Sequence, residues 1–306
     1  MPNEDRRAAL EAAIDEHPDQ PGAYLVLADW LQDHHPEDPR GELIVLSRSN
    51  DDIAGQTAAT VDDVERATER ARIERQHLEN RTRCSTLHLQ IGPAPPKFGG
   101  LTWFYGFVQR ARASVHEDDE DWLRGFLDHP SLRHVVSLDL QYGGSEWEDR
   151  QWLVDVIAER VRPSCRHLTI NCYHTGGNDP PCGDLDITTL WDALPRLEEL
   201  DIAARYVTPG SLGSTNLHKL RVDGSVSSAD LQPLLEMSAP ALRELELCDV
   251  DGGFGTAVVT SPLAAALSAL KLPYTDNHGQ AVIRMRIPCV TFLPNHDGDR
   301  YEQVGE

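Results

Sequence analysis

Five side chains that can bind a metal or take part in acid–base chemistry lie within one short stretch of this chain. They are Cys165, His167, Cys172, His174 and Cys182. A zinc site needs four such donors that converge on one point, and a cysteine nucleophile needs a neighbouring histidine as its base. The spacings between these cysteines match no common zinc motif, so we expect no metal and no cofactor. A hydrolase that uses Cys172 and His174 is kept as an alternative hypothesis.

Other patterns typical of enzymes do not occur in the sequence. It contains no glycine-rich phosphate loop, no Gly-x-Ser-x-Gly elbow and no His-Glu-x-x-His helix. Asp29 and Glu42 have no nucleophile or metal pattern near them, and we expect them to accept hydrogen bonds from Arg40 or from backbone amides. Trp30 is expected to be an apolar anchor. We therefore predict that the protein is not an enzyme.

A six-residue pattern recurs along the chain and predicts the elements that carry these side chains. An apolar residue is followed by two spacers, a second apolar residue, one spacer and a third apolar residue. The copies are Cys84-x-x-Leu87-x-Leu89, Val135-x-x-Leu138-x-Leu140, Cys165-x-x-Leu168-x-Ile170, Leu197-x-x-Leu200-x-Ile202, Leu217-x-x-Leu220-x-Val222, Leu242-x-x-Leu245-x-Leu247 and Val282-x-x-Met285-x-Ile287. Their starts lie 20 to 51 residues apart, and the shortest spacings match a leucine-rich repeat of roughly 20–29 residues. The 51-residue gap is predicted to contain a degenerate copy.

The repeats follow a stretch with helical periodicity. Apolar residues at three- and four-residue spacing predict helices over residues 4–16 and 23–34. The predicted fold is α/β, an N-terminal helical module followed by an irregular leucine-rich-repeat solenoid with a parallel sheet. The predicted boundaries are 1–49 for the helical module, 50–83 for a linker and connecting helix, 84–291 for the solenoid and 292–306 for a polar tail.

Several segments of the N-terminal half carry a resemblance to a known family. They are Asp19, Tyr24-Leu25-Val26-Leu27-Ala28-Asp29-Trp30-Leu31, Asp38-Pro39-Arg40-Gly41-Glu42-Leu43-Ile44 and, after a connecting helix, Gly106-Phe107-Val108. Over roughly residues 4–48 the chain resembles the bacterial repeat-companion domain. That module stands before leucine-rich-repeat regions in large bacterial paralogue families, so the resemblance implies the same arrangement here. Because the function of the family is poorly defined, the resemblance bears on fold more than on function.

The spacers of each copy are expected to face away from the core, since side chains alternate across a strand. Adding an exposed tryptophan of an insertion, the candidate protein-binding residues are Asp139, Tyr173, Glu199, Asp201, Lys219, Arg221, Glu244, Glu246, Arg284, Arg286 and Trp147. From Glu199 onward, successive copies alternate between acidic and basic spacers. Neighbouring strands would then neutralise each other, which modestly stabilises a sheet. The same stripes would also form a recognition face, and the two interpretations are compatible.

Composition restricts the classes of partner. The 306-residue chain has 50 acidic and 28 basic residues, a formal net charge of −22. Such a charge repels phosphate backbones, so nucleic acid is not an expected partner. No stretch approaches the ~20 apolar residues of a membrane span, and residues 1–19 are polar and acidic, unlike a signal peptide. We therefore expect a cytoplasmic protein with no membrane partner, whose six cysteines are reduced.

These observations favour a binding function. We predict a non-catalytic protein–protein interaction module with a regulatory, adaptor or inhibitory role, which binds an effector through the outward face of the repeat sheet and its inserted loops. The expected partner is another protein, such as a co-encoded effector or a protease. An alternative hypothesis is that a protease cleaves the chain, for example in residues 50–60, and so releases a partner.

Overall fold

The structure is a computed structural model. It describes residues 3–38, 40–45, 47, 69, 98–144, 150–174, 183–211, 216–236, 241–250, 257–258, 261–273 and 290–293. The chain divides into two compact units, of which the first holds residues 1–114, 118–138 and 162–165 and the second holds 115–117, 139–161 and 166–306. The predicted linker, apart from residue 69, and the first predicted repeat at residues 84–89 lie outside the described residues.

The first unit contains helices and a β-hairpin. Its helices are α1 Asn3–Glu16, α2 Pro21–His34, α3, which includes residues 40–45, and α4 Glu120–Leu127. Its hairpin joins β1 Phe98–Phe104 to β2 Phe107–Val115, of which the last residue belongs to the second unit. The two N-terminal helices are confirmed, and α2 buries the predicted stripe of Tyr24, Leu27, Ala28 and Leu31. This stripe is the centre of an apolar cluster that also includes Tyr105 and Phe107 of the hairpin.

Arg40 is the most deeply buried charged side chain of α3. Its Nε donates to both carboxylate oxygens of Asp38, at 2.9 and 3.1 Å, and its guanidinium carbon lies 5.6 Å from the ring centroid of Phe107. The side chains of Arg40 and Asp38 are 1% and 3% exposed. The expectation that Asp29 and Glu42 accept hydrogen bonds from Arg40 is wrong, because both acids are exposed and Arg40 turns inward to Asp38.

Two glycines allow this packing. A Cβ on Gly41 would lie 3.3 Å from the Cβ of Leu31, so its absence allows α3 to approach α2 closely. Gly106 and Tyr105 have φ values of 77° and 49° and form the two-residue turn between β1 and β2. Two consecutive turn residues with positive φ match the twist of the strands in a tight hairpin. The segments that carry the family resemblance are therefore used for packing.

α1 is held by polar side-chain contacts to a segment of the same unit. Glu11 Oε2 lies 2.9 Å from Arg133 Nη1, and Asp15 Oδ1 lies 2.6 Å from Nδ1 of the fully buried His134. The ring of His134 packs edge-on against Phe107, with centroids 4.7 Å apart. α1 thus adds two acid–base contacts to the apolar cluster of the first unit.

The second unit contains most of the strands. In chain order its elements are β3 Ser137–Gly144, which begins in the first unit, α5 Gln151–Ala158, β4 His167–His174, β5 Asp184–Asp186, α6 Leu190–Ala193, β6 Glu199–Thr208, β7 Lys219–Val226, α7 Ser228–Glu236, β8 Glu244–Val250, β9 Ala269–Pro273 and β10 Val290–Leu293.

The strands pair in chain order with one exception. β1 pairs with β2 and β2 with β3, and the order continues through β4, β6, β7, β8 and β9 to β10, while β5 pairs with β6 at the side of this path. β1 is antiparallel to β2. The eight strands β2 to β4 and β6 to β10 run parallel, with helices interleaved along the chain. The predicted α/β class, with N-terminal helices and a parallel sheet, is confirmed.

The six-residue pattern coincides with the start of successive strands. All three apolar positions are at most 2% exposed in the copies that begin at Val135, Cys165, Leu197, Leu217 and Leu242. The residue after the first apolar position also makes a recurring backbone hydrogen bond: the amides of His218, Arg243 and Ser268 donate to the carbonyls of Glu198, His218 and Arg243. The copies at Leu217 and Leu242 thus repeat both the burial and the hydrogen bonding of the copy before them.

This recurring bond locates two further copies of the pattern. The amide of Val136 donates to the carbonyl of Gln109, which makes Val108-x-x-Ala111-x-Ala113 the degenerate copy expected in the long gap. The amide of Ser268 identifies another copy, Leu267-x-x-Leu270-x-Leu272, whose apolar residues are buried.

The strand that follows β8 in the sheet lies earlier in the chain than the last predicted copy. β9 follows β8 in the sheet, and β10 pairs with β9 in a register that places Val290 opposite Leu270. The neighbours of β8 in the sheet are therefore β7 and β9. Residues 282–287 themselves lie outside the described residues.

Candidate functional site

The spacers of the pattern form two rows of outward-facing side chains across the parallel strands of the second unit. We call them the outer rows. In register, the first outer row is His167, Glu199, Lys219, Glu244 and Ala269, and the second is Thr169, Asp201, Arg221, Glu246 and Lys271. Residues that pair in a parallel sheet lie on the same face, about 4.8 Å apart. The charges therefore alternate in sign from β6 to β8 in the first row and from β6 to β9 in the second row, at a spacing that permits direct contact.

The second outer row is a continuous chain of ion pairs. Arg221 Nη1 lies 3.2 Å from Asp201 Oδ2, and Arg221 Nε lies 3.2 Å from Glu246 Oε1. Lys271 Nζ lies 2.7 Å from the other oxygen of Glu246, and Asp223 lies 3.5 Å from Arg221 Nη2. The predicted lateral neutralisation between neighbouring strands is confirmed for this row.

Contacts in the first outer row are longer. Glu199 is approached by Lys219 Nζ at 3.9 Å, by His167 Nδ1 at 3.7 Å and by His218 Nε2 at 3.6 Å. The carboxylate of Glu244 is exposed and forms no ion pair with any residue that the structure describes. The first row therefore keeps side chains that can turn toward another molecule.

The ion-pair chain shifts the titration of its central members. Partial burial acts to lower the pKa of Arg221, but the charge and hydrogen bond of Asp201, with Glu246 and Asp223, outweigh it and raise the pKa above its usual value. Burial acts to raise the pKa of Glu246, yet the hydrogen bond and charge of Lys271 and the charge of Arg221 hold it below its usual value. Both groups are therefore charged at neutral pH.

A hollow of about 330 Å³ lies on the outer rows. Its lining residues come from four adjacent strands, β6 to β9, and are Asp201, Lys219, Leu220, Arg221, Glu244, Leu245, Glu246, Ala269 and Lys271. Charged groups of both signs border it, so the hollow presents hydrogen-bond donors and acceptors together.

An exposed tyrosine lies further along β6. The side chain of Tyr206 is 54% exposed, and the guanidinium carbon of Arg205 lies 5.5 Å from its ring centroid. Arg205 Nη2 also lies 3.0 Å from Asp184 Oδ1 on β5. The cation–π contact and the ion pair restrain the ring. Tyr206 is an aromatic side chain of the kind that anchors protein interfaces.

A bulge turns Tyr206 outward. The pairing of β6 with β7 is interrupted between Ala203 and Tyr206, and the alternation changes phase there: Ala204 is buried, Tyr206 is exposed and Val207 is buried. Gly224 of β7 lies at this interruption, where a Cβ would overlap the carbonyl oxygen of Ala204. Glycine is required at such a close backbone approach.

The other predicted binding residues have different outcomes. Asp139 is half-buried on β3 and accepts a hydrogen bond of 2.6 Å from Gln141 Nε2. Tyr173 belongs to β4, but its side chain lies outside the described residues, as do Trp147, Arg284 and Arg286 entirely. Because β9 adjoins β8, the basic residue beside Glu246 is Lys271.

The cysteine–histidine stretch divides between the two faces of β4. Cys165 and Cys172 are buried, with 1% and no exposure, whereas His167 faces outward and its side chain is 40% exposed. Cys182 and the side chain of His174 lie outside the described residues. Within the part of the chain that the structure describes, no three His, Cys, Asp or Glu side chains are arranged to hold a metal ion. No helix in that part is long and apolar enough to cross a membrane.

Sequence reasoning missed two residues, Lys271 of the second outer row and the exposed Tyr206 of β6. Lys271 had a detectable signal, since Leu267-x-x-Leu270-x-Leu272 begins 25 residues after the copy at Leu242. Tyr206 had none, because strict alternation from Ile202 would place it inside and only the bulge reverses its direction.

Comparisons with known proteins identify no family. No protein-family model matches the chain, and no curated protein matches it. A solved structure of a structural-genomics protein from Bacteroides fragilis is similar over 76% of each chain, with 13% sequence identity and a TM-score of 0.38. A likeness at this level assigns no function.

Proposed function

We propose that this protein is a non-catalytic protein-binding module of the leucine-rich-repeat type, and that a partner protein docks on the outer rows. The observation that carries the proposal is an exposed sheet face whose charged side chains are ordered by lateral ion pairs. One of its strands, β6, also carries the restrained Tyr206. A regulatory, adaptor or inhibitory role fits such a module.

The repeat assignment is supported by consistent detail. Copies that begin at Val135, Cys165, Leu197, Leu217, Leu242 and Leu267 bury the same three positions and start strands that follow one another in the sheet, with β5 at its side. Repeats of 20 to 29 residues, each with one strand, are typical of leucine-rich repeats. Stacked repeats expose one long sheet face, which such proteins use for binding. The resemblance of the N-terminal module to the repeat-companion domain supports the same interpretation.

Pre-ordering is the physical advantage of this face. Association normally loses side-chain entropy of about 0.5–1.5 kcal/mol for each long side chain that becomes fixed. Arg221 and Glu246 are already fixed by each other and by Asp201 and Lys271. A partner can therefore use their remaining hydrogen-bonding capacity at a smaller entropic loss, while Tyr206 supplies apolar area.

The two alternative hypotheses have less support. The thiol of Cys172 has no exposed surface, so a substrate cannot reach it without rearrangement of β4, which argues against a hydrolase built on Cys172 and His174. Cleavage by a protease in residues 50–60 concerns a segment outside the described residues.

Capture experiments on the full chain test the proposal. Wild-type protein, Tyr206→Ala and Glu244→Lys would be cross-linked in lysate of the source cells, and captured proteins quantified by mass spectrometry. The control is Val161→Ala, which truncates an apolar side chain that is 64% exposed and belongs to none of the strands that carry the outer rows. We expect a partner that is reduced at least about tenfold by both test variants and unchanged by the control. Equal capture by all four proteins would contradict a binding site on this face.

A further inference from the structure

We propose that the outer rows bind a second copy of the same chain, so that the protein forms a symmetric dimer through this face. This inference rests on the proposed function, since it takes the outer rows as a protein-binding surface and names their partner. Its basis is the order of charges across the strands.

The charge pattern changes sign when the strand order is reversed. In the two outer rows, β6 carries Glu199 and Asp201, and β7 carries Lys219 and Arg221. β8 then carries Glu244 and Glu246, and β9 carries Ala269 and Lys271. Reversal about the line between β7 and β8 exchanges β7 with β8 and β6 with β9. Every exchanged pair of strands has opposite charge, and the flanking strand β4 contributes the uncharged Thr169 to the second row.

A twofold axis performs this reversal. Two copies that face each other about an axis parallel to the strands, between β7 and β8, keep the same row at the same height and reverse the strand order. Lys219 then faces Glu244 of the second copy, Arg221 faces Glu246, and Lys271 faces Asp201. A twofold axis perpendicular to the strands in the sheet plane would instead place each strand over itself, acid over acid. Symmetric dimers require such a self-complementary surface.

The lateral ion pairs are compatible with this docking. Each cation would gain carboxylates from the second copy without leaving its neighbour in the row, so charges of opposite sign would alternate across the strands and face each other between the two copies. The hollow is lined by residues of β6 to β9, so the proposed twofold axis would pass over it. Water held there can complete hydrogen bonds between the two copies.

Size and net charge limit the affinity. Four strands about 4.8 Å apart give a face smaller than the ~800 Å² per partner of a standard interface, so we expect a Kd in the micromolar range. The net charge of −22 on each chain opposes association at low salt. At about 0.15 M salt the screening length is ~8 Å, which weakens this long-range repulsion but acts less on groups in contact. Association should therefore be strongest at intermediate salt and lost near 1 M.

A charge-swap experiment tests the dimer. In sedimentation velocity of the purified full chain, the wild type should self-associate, and Lys219→Glu and Glu244→Lys should each be monomeric, because each places like charges opposite each other. An equimolar mixture of the two variants should associate again, since the new carboxylate at position 219 of one chain then faces the new ammonium group at position 244 of the other. Glu244→Gln removes one charge and breaks no ion pair in the described residues, so it should weaken association several-fold. This mild variant controls for the possibility that the charge swaps prevent association by misfolding.

The outcomes separate the two proposals. A wild type that stays monomeric up to about 1 mM, far above the expected Kd, overturns the dimer, as does self-association that survives both swaps or is not restored in the mixture. If the dimer fails while Tyr206→Ala and Glu244→Lys still lose a captured cellular protein, the outer rows bind a different partner and the proposed function stands.

Discussion

Arg40 in the first unit and Arg221 in the second unit are both bound by carboxylates, but their surroundings differ. Arg40 is 1% exposed and has the carboxylate of Asp38 and the ring of Phe107 as its partners. Arg221 is 35% exposed and lies among Asp201, Asp223 and Glu246. The first arrangement has one acid for one base in a closed core, whereas the second has more acids than bases on an open face.

The difference indicates which charged group serves the fold and which is available for recognition. A buried pair is fixed because loss of either partner leaves an uncompensated charge in a medium of low dielectric constant. An exposed chain of ion pairs contributes less to stability, because water hydrates the charged groups and salt screens their attraction. The motif residues of the N-terminal module thus have a structural explanation, and the outer rows are the surface on which we propose binding.

Removal of Arg40 should have the largest effect on stability. Arg40→Ala leaves the carboxylate of Asp38 buried without its cation, so we expect the free energy of unfolding to fall by about 3–5 kcal/mol, measured by urea denaturation. The control is Arg205→Ala, whose pair with Asp184 is 51% and 61% exposed, with an expected loss below about 1 kcal/mol. Similar losses of unfolding free energy for Arg40→Ala and Arg205→Ala would contradict the distinction between buried and exposed ion pairs.

Removal of Arg221 should have a smaller effect. Arg221→Ala leaves three carboxylates near one another without their shared cation, but they remain partly hydrated, so a loss of about 1–2 kcal/mol is expected. Lys219→Ala is the matched comparison, because Lys219 has a single contact at 3.9 Å, and its loss should be below about 0.5 kcal/mol. A loss at Arg221 as large as that at Arg40 would mean that the outer rows hold the fold together.

The contribution of Glu246 should depend on pH. Its pKa in the folded state lies below the ordinary value of 4.5, so its stabilisation is present above pH 4.5 and is lost as the pH falls through the lowered pKa. The difference in unfolding free energy between wild type and Glu246→Gln, below about 1 kcal/mol at neutral pH, should therefore shrink on acidification. A constant difference between about pH 6 and pH 3 would show that the side chain acts by packing and not by charge.

Substitution of Glu244 should have the smallest effect on stability. Glu244 is exposed and has no ion pair among the described residues, so Glu244→Lys should change the unfolding free energy by less than about 0.5 kcal/mol. Thermal denaturation of the variant measures this directly. A large loss of stability would make Glu244→Lys unsuitable as a probe of binding and would imply that Glu244 supports the sheet.

Much of the fold was predictable because burial follows a local period. The alternation of Leu217, Leu220 and Val222 identifies one buried face, and with it Lys219 and Arg221 as outward residues. The helical stripe of α2 is visible in the same way. The copy at Leu267 was also visible in the sequence, but the apolar residues near Val282 offered a competing match.

Part of the candidate site was not predictable because it depends on contacts between distant residues. The orientation of Tyr206 is set by a bulge that Gly224 of the neighbouring strand permits. The choice of Asp38 over Asp29 or Glu42 as the partner of Arg40 follows from the turn before α3 and the position of the hairpin. Neither relation leaves a periodic signal in the chain.

By itself the sequence determined which side chains face the core and which alternate in charge, because the periods of helices and strands act on residues close together in the chain. The tertiary structure decided which strands are neighbours, that Lys271 completes the second outer row, and that Tyr206 points outward. These depend on strand order, register and one bulge, which are set by the packing of segments far apart in the sequence.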